Sequence, residues 1–121
     1  MIRLATELDA DHIACHRYSD EIGLRPAYAA WVAGATVRGS YLGWLTEEAG
    51  QIVAGVGLVL LDWGPTRGDS NPLKARLVDV YTAPEWRRGL ASKLIGAALN
   101  EAARLGIGTV SLGASAQALP L

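Results

Sequence analysis

The octapeptide Pro84-Glu-Trp-Arg-Arg-Gly-Leu-Ala91 joins a strand-like run at residues 77–82 to an amphipathic, helix-like run at residues 90–105. Backbone N–H groups at the start of a helix have no partner within the helix, and they point towards any anion bound there. The helix dipole adds positive potential at the same place. Glycine allows a close backbone approach, and arginine supplies charged, forked donors. The stretch therefore predicts a pyrophosphate-binding loop, with solvated loop arginines as the alternative reading of Arg87 and Arg88.

The rest of the sequence predicts a mixed sheet with helices packed on it, in the order β-α-α-β-β-β-α-β. Spacing and turn residues place the strands at 2–5, 41–45, 51–61, 74–82 and 109–112, and the helices at 9–23, 26–39 and 90–105. We expect Asp9 or Asp11 to cap the first helix and Gly23 to end it. Pro26 and Gly39 should bound the second helix.

The strands contain two further signals. Glycines in the predicted hairpin indicate bulges or the close approach of another chain or a ligand, at Gly43, Gly55 and Gly57. In the strand before the loop, alternation places three side chains on one face, namely Leu77, Asp79 and Tyr81. The opposite face then carries Val78, Val80 and Thr82.

Composition limits the possible functions. The chain has 121 residues, half of them hydrophobic, and a net charge of −1, which argues against disorder and against a general nucleic-acid binder. Cys15 is the only cysteine, and we expect it to be buried or half-buried. His12 and His16 are one helical turn apart and are interpreted as ordinary helix-surface residues, with no metal site. The start of the chain does not resemble a signal peptide, and the apolar run at 52–61 is too short to span a membrane, which favours a cytoplasmic protein with no membrane partner.

The longer stretch Leu77-Val-Asp-Val-Tyr-Thr-Ala-Pro-Glu-Trp-Arg-Arg-Gly-Leu-Ala-Ser-Lys-Leu94 resembles the acetyl-CoA signature of the GCN5-related N-acetyltransferase (GNAT) family. That signature is Arg or Gln, two residues, Gly, one residue, then Gly or Ala. Gly89 and Ala91 occupy its last two places, while Trp86 stands where the family has Arg or Gln, so the arginine is displaced by one position. The resemblance extends over residues 2–112. It implies an α/β, GNAT-like acyl-CoA N-acyltransferase fold with a mixed sheet, in a single domain covering 1–121.

The resemblance also implies acetyl-CoA, or coenzyme A, as the co-substrate. Family positions that contact the pantetheine arm and the thioester carbonyl match Val80, Tyr81 and Thr82. Positions that hold the pyrophosphate match Arg87, Arg88, Gly89, Leu90, Ala91 and Ser92.

The run at 112–121 resembles the approach to the family's last helix and closing strands, so the fold is expected to be C-terminally short. In relatives this run continues to a tyrosine that often acts as general acid. A last strand without its neighbour would expose unpaired backbone groups, which predicts a homodimer through that strand.

Few residues are candidates for catalysis. Asp79 is the only acid in the strand beside the expected cofactor, and it could take a proton from an ammonium substrate. The alternative is a carboxylate that pairs with Arg76 or Lys74, or that caps a loop. Ser111 and Ser115 could orient a leaving thiol, although Ser115 could simply start a helix. Three aromatic residues could line an acceptor pocket but are better explained as core, namely Trp31, Tyr41 and Trp44.

The resemblance implies an N-acetyltransferase in which a primary amine attacks acetyl-CoA directly. No Ser-His-Asp or Cys-His arrangement is visible, which favours direct transfer over a covalent enzyme intermediate. The acceptor would be a small-molecule or peptide amine. The alternative is a catalytically inactive CoA-binding or regulatory module with a truncated GNAT fold. A nucleotide-binding protein is disfavoured, because the sequence has neither a P-loop nor a full Gly-x-Gly-x-x-Gly motif.

Overall fold

The computed structural model describes residues 1–86 and 89–112. Its strands are β1 (Ile2–Leu4), β2 (Tyr41–Glu48), β3 (Gln51–Asp62), β4 (Leu73–Thr82) and β5 (Val110–Leu112). Its α-helices are α1 (Ala10–Arg17), α2 (Arg25–Arg38) and α3 (Leu90–Arg104), and short 3₁₀ turns lie at Glu7–Asp9, Ile22–Leu24 and Pro84–Trp86. The predicted order of elements is confirmed.

The five strands form one mixed sheet in the order β1-β2-β3-β4-β5. Neighbouring strands from β1 to β4 are antiparallel, whereas β4 and β5 are parallel. This parallel pair confirms the crossover expected for the strand–helix–strand unit that contains α3. Association of two copies through β5 stays a prediction.

Each face of the sheet is covered by its own helices. One face packs on α3 through a core that includes Leu58, Leu77 and Leu94. The other packs on α1 and α2 through Ile13, Val32 and Val78. The α3 sequence produces this packing, because its apolar residues recur every three or four positions and form one stripe.

The first helix differs from its prediction at both ends. Thr6 begins a capping box with Asp9 around the 3₁₀ turn at Glu7–Asp9, and the Asp9 side chain makes no cap bond to α1. Both Asp9 oxygens instead accept hydrogen bonds from the Arg3 guanidinium, each at 2.9 Å. The helix ends at Arg17, well before Gly23, because Tyr18 leaves the helical conformation and the chain enters a separate turn at Ile22–Leu24.

The second helix follows its prediction closely. Pro26 lies in the first turn of α2, where its missing N–H has no intrahelical partner to lose. Gly39 ends the helix with a φ of 81°, a left-handed conformation that glycine adopts without steric cost.

The glycines of β2 and β3 make room for tyrosine side chains of the sheet itself. A Cβ on Gly57 would overlap the ring and hydroxyl of Tyr41. A Cβ on Gly55 would lie 2.8 Å from the ring of Tyr81. A Cβ on Gly43 would lie 2.8 Å from the Cβ of Ala5. The close approach predicted from the three glycines is therefore made by residues of this chain, and at Gly55 and Gly57 by tyrosine rings of the same sheet.

We predict that Gly57→Ala destabilises the protein by about 1–3 kcal/mol, because the added methyl must displace the buried Tyr41. The matched control is Gly96→Ala in α3, where a Cβ meets no other side chain or distant backbone within 4 Å. This control should be stabilising by about 0.5–1 kcal/mol, since alanine favours the helix. Chemical unfolding of the three proteins checks both values, and equal stabilities would contradict the packing described above.

Candidate functional site at the bulge of β4

A β-bulge interrupts β4 between Val78 and Tyr81. Val78 pairs with Gly57 and Tyr81 pairs with Gly55, so Asp79 and Val80 both lie opposite the single intervening residue of β3. Asp79 has a φ of 56°, in the left-handed region that few residues other than glycine, asparagine and aspartate adopt. Such a conformation costs on the order of 1–3 kcal/mol and is concentrated at functional sites.

The bulge corrects the alternation predicted for this strand. Leu77 and Val80 pack against the α3 core, whereas Val78 packs against α1 and α2. Asp79 also reaches the α1–α2 side, where its carboxylate meets Tyr28 of α2. Two consecutive side chains therefore share one face, because the extra residue of a bulge shifts the pleat by one position.

The carboxylate of Asp79 is buried and has three hydrogen-bond donors. Its Oδ2 accepts from the hydroxyls of Tyr28 and Tyr41, at 2.6 and 2.7 Å. Its Oδ1 accepts from Nη1 of Arg17 at 3.1 Å, and the aspartate side chain is only 3% exposed. Burial, followed by the nearby charge of Asp79, raises the pKa of Tyr28 and of Tyr41 well above the ordinary tyrosine value, so both remain donors.

The ion pair of Asp79 differs from the two alternatives considered for it. Its cationic partner is Arg17 of α1, and neither Arg76 nor Lys74 takes that place. Lys74 pairs instead with Asp69, at 3.0 Å. The sequence could not identify Arg17, because the contact spans 62 positions and depends on how α1 lies across the sheet.

Arg17 also contacts two aromatic rings on the same side of the sheet. Its guanidinium carbon lies 4.9 Å from the ring centre of Tyr28 and 5.6 Å from that of Tyr18. Contacts of this kind favour a cation over an aromatic face. Arg17 and Tyr28 thus connect the bulge to both helices that cover this face.

His12 and His16 contact the ring of Tyr81, two residues beyond Asp79. His12 Nε2 lies 2.8 Å from the Tyr81 hydroxyl, and the ring of His16 stacks on that of Tyr81 with a 3.7 Å centroid separation. His12 is half-buried, whereas His16 is exposed, so the interpretation as surface histidines is confirmed for His16 alone, and neither contact with Tyr81 was predicted. Desolvation lowers the pKa of His12, and desolvation together with the neighbouring His12 lowers that of His16. Their spacing of one helical turn was visible in the sequence, but the partner across the sheet was not.

Beyond the bulge, one edge of β4 is open in the described part of the chain. The pairing of β4 with β5 ends at Leu77 opposite Leu112. Residues 78–82 continue past that point with no described strand beside them on this edge. Within the described residues, the backbone groups of this segment therefore have no strand partner on the β5 side.

The start of α3 lies at the end of the connection that follows β4. Gly89 is its N-cap, with a φ of 74° and no side-chain cap bond, and a Cβ there would meet no atom of the described structure within 4 Å. Leu90 and Ala91 are half-buried and Ser92 is exposed. Arg87, Arg88 and Ser115 lie outside the described residues. Because a Cβ on Gly89 would meet no described atom within 4 Å, the described structure leaves space beside the backbone of this residue.

The remaining candidates have varied surroundings. Tyr41 and Trp44 are buried in the core, as predicted, but Trp31 is 42% exposed and is not a core residue. Cys15 is exposed, which contradicts its expected burial. The Ser111 hydroxyl donates to the carbonyl of Ala75 at 3.5 Å.

Two kinds of feature are absent from the described residues, namely a cluster of metal-ligating side chains and a membrane-spanning helix. Within 1–86 and 89–112, no three or more His, Cys, Asp or Glu side chains are grouped so that they could hold a metal ion. No helix in these ranges combines the length and apolar character needed to cross a membrane.

Comparison with known proteins identifies relatives of the chain. The model of the acetyltransferase (GNAT) family matches residues 5–120. No curated protein sequence matches the chain significantly.

Several solved structures are similar to this fold. A predicted acetyltransferase from Clostridium acetobutylicum, solved with acetyl-CoA, is 22% identical with a TM-score of 0.89, covering 99% of this chain and 84% of that one. A GCN5-related N-acetyltransferase from Ralstonia eutropha is 25% identical with a TM-score of 0.85, covering 97% and 84% of the two chains. An aminoglycoside 6′-N-acetyltransferase from Acinetobacter haemolyticus is 19% identical with a TM-score of 0.73, covering 96% and 80%.

We predict that Asp79→Asn destabilises the protein by about 1.5–3 kcal/mol, because the amide gives up a charged acceptor for three buried or partly buried donors. Asparagine tolerates the left-handed backbone, so the change isolates the charge from the strain. Chemical unfolding measures the effect. The matched control is Glu101→Gln, which breaks an exposed pair with Arg104 and should change stability far less. Equal effects of the two substitutions would contradict the role given to Asp79.

Proposed function

Since the chain belongs to the acetyltransferase (GNAT) family, we propose that it transfers an acetyl group from acetyl-CoA to a primary amine. The observation that carries this proposal is the bulge of β4 with its open edge. A strained residue at a strand edge frees backbone groups that a regular ladder would occupy. Residues 1–121 would form a single acetyltransferase domain.

The proposed binding site for acetyl-CoA runs from β4 to the start of α3. Backbone groups of Val80, Tyr81 and Thr82 would bind the pantetheine arm and the thioester carbonyl. The backbone from Gly89 to Ser92 would bind the pyrophosphate, with Arg87 and Arg88 as charged donors. The left-handed conformation of Gly89 and the empty space beside it support this assignment, because a phosphate must come close to the backbone there.

In the proposed reaction the amine nitrogen attacks the thioester carbonyl carbon, the C–N bond forms and the C–S bond breaks. Backbone N–H groups beside the bulge would stabilise the negative charge that develops on the carbonyl oxygen. The thiolate of coenzyme A leaves and takes up the proton lost by the amine. The enzyme would contribute mainly by holding the two substrates in the reactive geometry.

The role of Asp79 as a proton acceptor stays a prediction, and its surroundings favour a second role. Both carboxylate oxygens already accept hydrogen bonds, and the side chain is almost completely buried. We propose that Asp79 positions the bulge by connecting it to α1, α2 and β2.

The acceptor would be a small-molecule or peptide amine, which would approach from the α1–α2 side of the bulge. Structural neighbours include enzymes that are named for acetylating aminoglycosides, and these are small molecules bearing amines. Trp31 and Tyr28, whose rings lie 5.7 Å apart near Asp79, offer an aromatic surface on that side.

We predict micromolar binding of acetyl-CoA, and a loss of about tenfold or more in Arg87→Ala/Arg88→Ala, equivalent to about 1.4 kcal/mol. The loss follows from removing two charged donors to the pyrophosphate. Calorimetric titration measures both affinities. Arg67→Ala, an exposed arginine in the β3–β4 connection, serves as the control and should bind as the parent protein does. A folded parent protein that does not bind acetyl-CoA would contradict the proposed site.

We predict that at least one class of amine stimulates the release of free thiol from acetyl-CoA by this protein. A panel of polyamines, amino acids, aminoglycosides and short peptides, followed by thiol detection and mass measurement of the acetylated product, tests the expectation. Tight acetyl-CoA binding with no thiol release across the panel would favour a catalytically inactive CoA-binding module.

A further inference from the structure

His12 and His16 belong to a cluster whose members come from three elements. They project from one side of α1, their ring centroids lie 4.5 Å apart, and the Tyr81 ring of β4 is in contact with both. On its other side the Tyr81 ring lies against the backbone of β3, at the position where Gly55 has no side chain. The Tyr81 ring therefore contacts the backbone of β3 at Gly55 and stacks on His16, and its hydroxyl contacts His12.

Tyr81 is the middle residue of the segment 80–82, which starts within the bulge at Val80. Its pairing with Gly55 restores the β3–β4 register after Asp79 has broken it. The position of its ring thus constrains the backbone groups assigned to the thioester.

We propose that His12 and His16 are positioning residues for acetyl-CoA: by holding the ring of Tyr81 they fix the backbone of residues 80–82, and protonation of both histidines releases that hold. The inference rests on the proposed acetyl-CoA site. It adds two residues of α1 to the groups that determine the affinity for acetyl-CoA. This helix lies on the face of the sheet opposite to α3.

The charges around His12 and His16 determine how readily the two rings take up protons. Asp9, on the turn before α1, is the acid that favours a charged His12, while His12 itself disfavours a charged His16. Asp79 of β4 is already paired with Arg17, and Tyr28 of α2 donates to the same carboxylate.

The contact with Tyr81 depends on the protonation of the two histidines, because burial raises the pKa of Tyr81 and its hydroxyl stays protonated. Cys15, on α1 with the histidines, is exposed. Two imidazolium rings at this separation would repel each other, and this repulsion is what would loosen their contacts with the Tyr81 ring. A protonated His12 can no longer accept a hydrogen bond from the Tyr81 hydroxyl and can only donate to it.

The lowered pKa values of His12 and His16 determine how the stability of the fold changes with pH. A histidine whose folded-state pKa lies below its unfolded value stabilises the fold while neutral. That stabilisation is lost as the pH falls below the ordinary histidine value of about 6.5, because the unfolded chain then binds more protons. The loss of the Tyr81 contact and the loss of stability should therefore occur over the same pH range.

The test is acetyl-CoA affinity by calorimetry at about pH 7.5 and about pH 5.5, on either side of the ordinary histidine value. The parent protein is compared with His12→Gln/His16→Gln, whose amides stay neutral at both values, and with Cys15→Ser as a control on the same helix. Titration of acetyl-CoA itself affects every protein equally, so the ratio of parent to variant affinity isolates the histidines. We expect this ratio to fall by at least about threefold at the lower pH, well beyond measurement error. Cys15→Ser should follow the parent protein.

Tyr81→Phe separates positioning from packing, because it keeps the stacked ring and removes the hydroxyl bonded to His12. It should weaken acetyl-CoA binding at the higher pH and reduce the difference between the two pH values. Thermal unfolding of each protein at both pH values verifies that all are folded, and the pH dependence of the melting temperature should shrink in the double variant. Equal pH dependence of binding in the parent and the double variant would overturn this inference alone. If the folded parent protein bound no acetyl-CoA at either pH, the proposed function would fail, and this inference with it.

Discussion

The buried carboxylate of Asp79 is the constraint on which the arrangement of this face depends. It lies at a strained backbone position and is neutralised by Arg17 of α1, while Tyr28 of α2 and Tyr41 of β2 donate to it. Removing a buried charge from water is costly unless its hydrogen-bonding capacity is satisfied. The positions of both helices over β4 are thus tied to a single side chain.

The hydrogen bonds of Asp79 oppose a change of register in the irregular part of β4. A bulge without such support could slip by one residue, and every side chain beyond it would then change faces. Here Val78 and Asp79 are fixed on one side by the helices, and Tyr81 returns to the ladder against Gly55. The proposed site for the thioester therefore adjoins a segment that is held by side chains from α1, α2 and β2.

The sequence predicted the sheet, the helices and the parallel crossover, because these features depend on local periodicity and on glycine and proline at element ends. It failed where contacts distant in the chain decide the structure. Asp79 broke the predicted alternation because a bulge leaves no signature in a period of two, and the length of α1 was misjudged because Tyr18 leaves the helix without a glycine. The contacts of His12 and His16 with Tyr81 were missed because nothing in α1 shows that this residue, 69 positions away from His12, lies against them.

The two glycines beneath the tyrosine rings have a consequence for how this sheet can vary between related proteins. Gly57 has no room for a Cβ while Tyr41 is present, and Gly55 has none while Tyr81 is present. Gly57 and Tyr41 therefore form a unit whose members are free to change only together, since a smaller residue in place of the ring would remove the restriction on the glycine. The unit of Gly55 and Tyr81 also includes Leu45, whose Cδ2 would lie 2.9 Å from a Cβ on Gly55. Substitutions within a unit should be strongly non-additive, whereas substitutions in different units should combine more independently. In evolutionary terms, this face of the sheet is expected to show pairwise covariation rather than gradual drift at single positions.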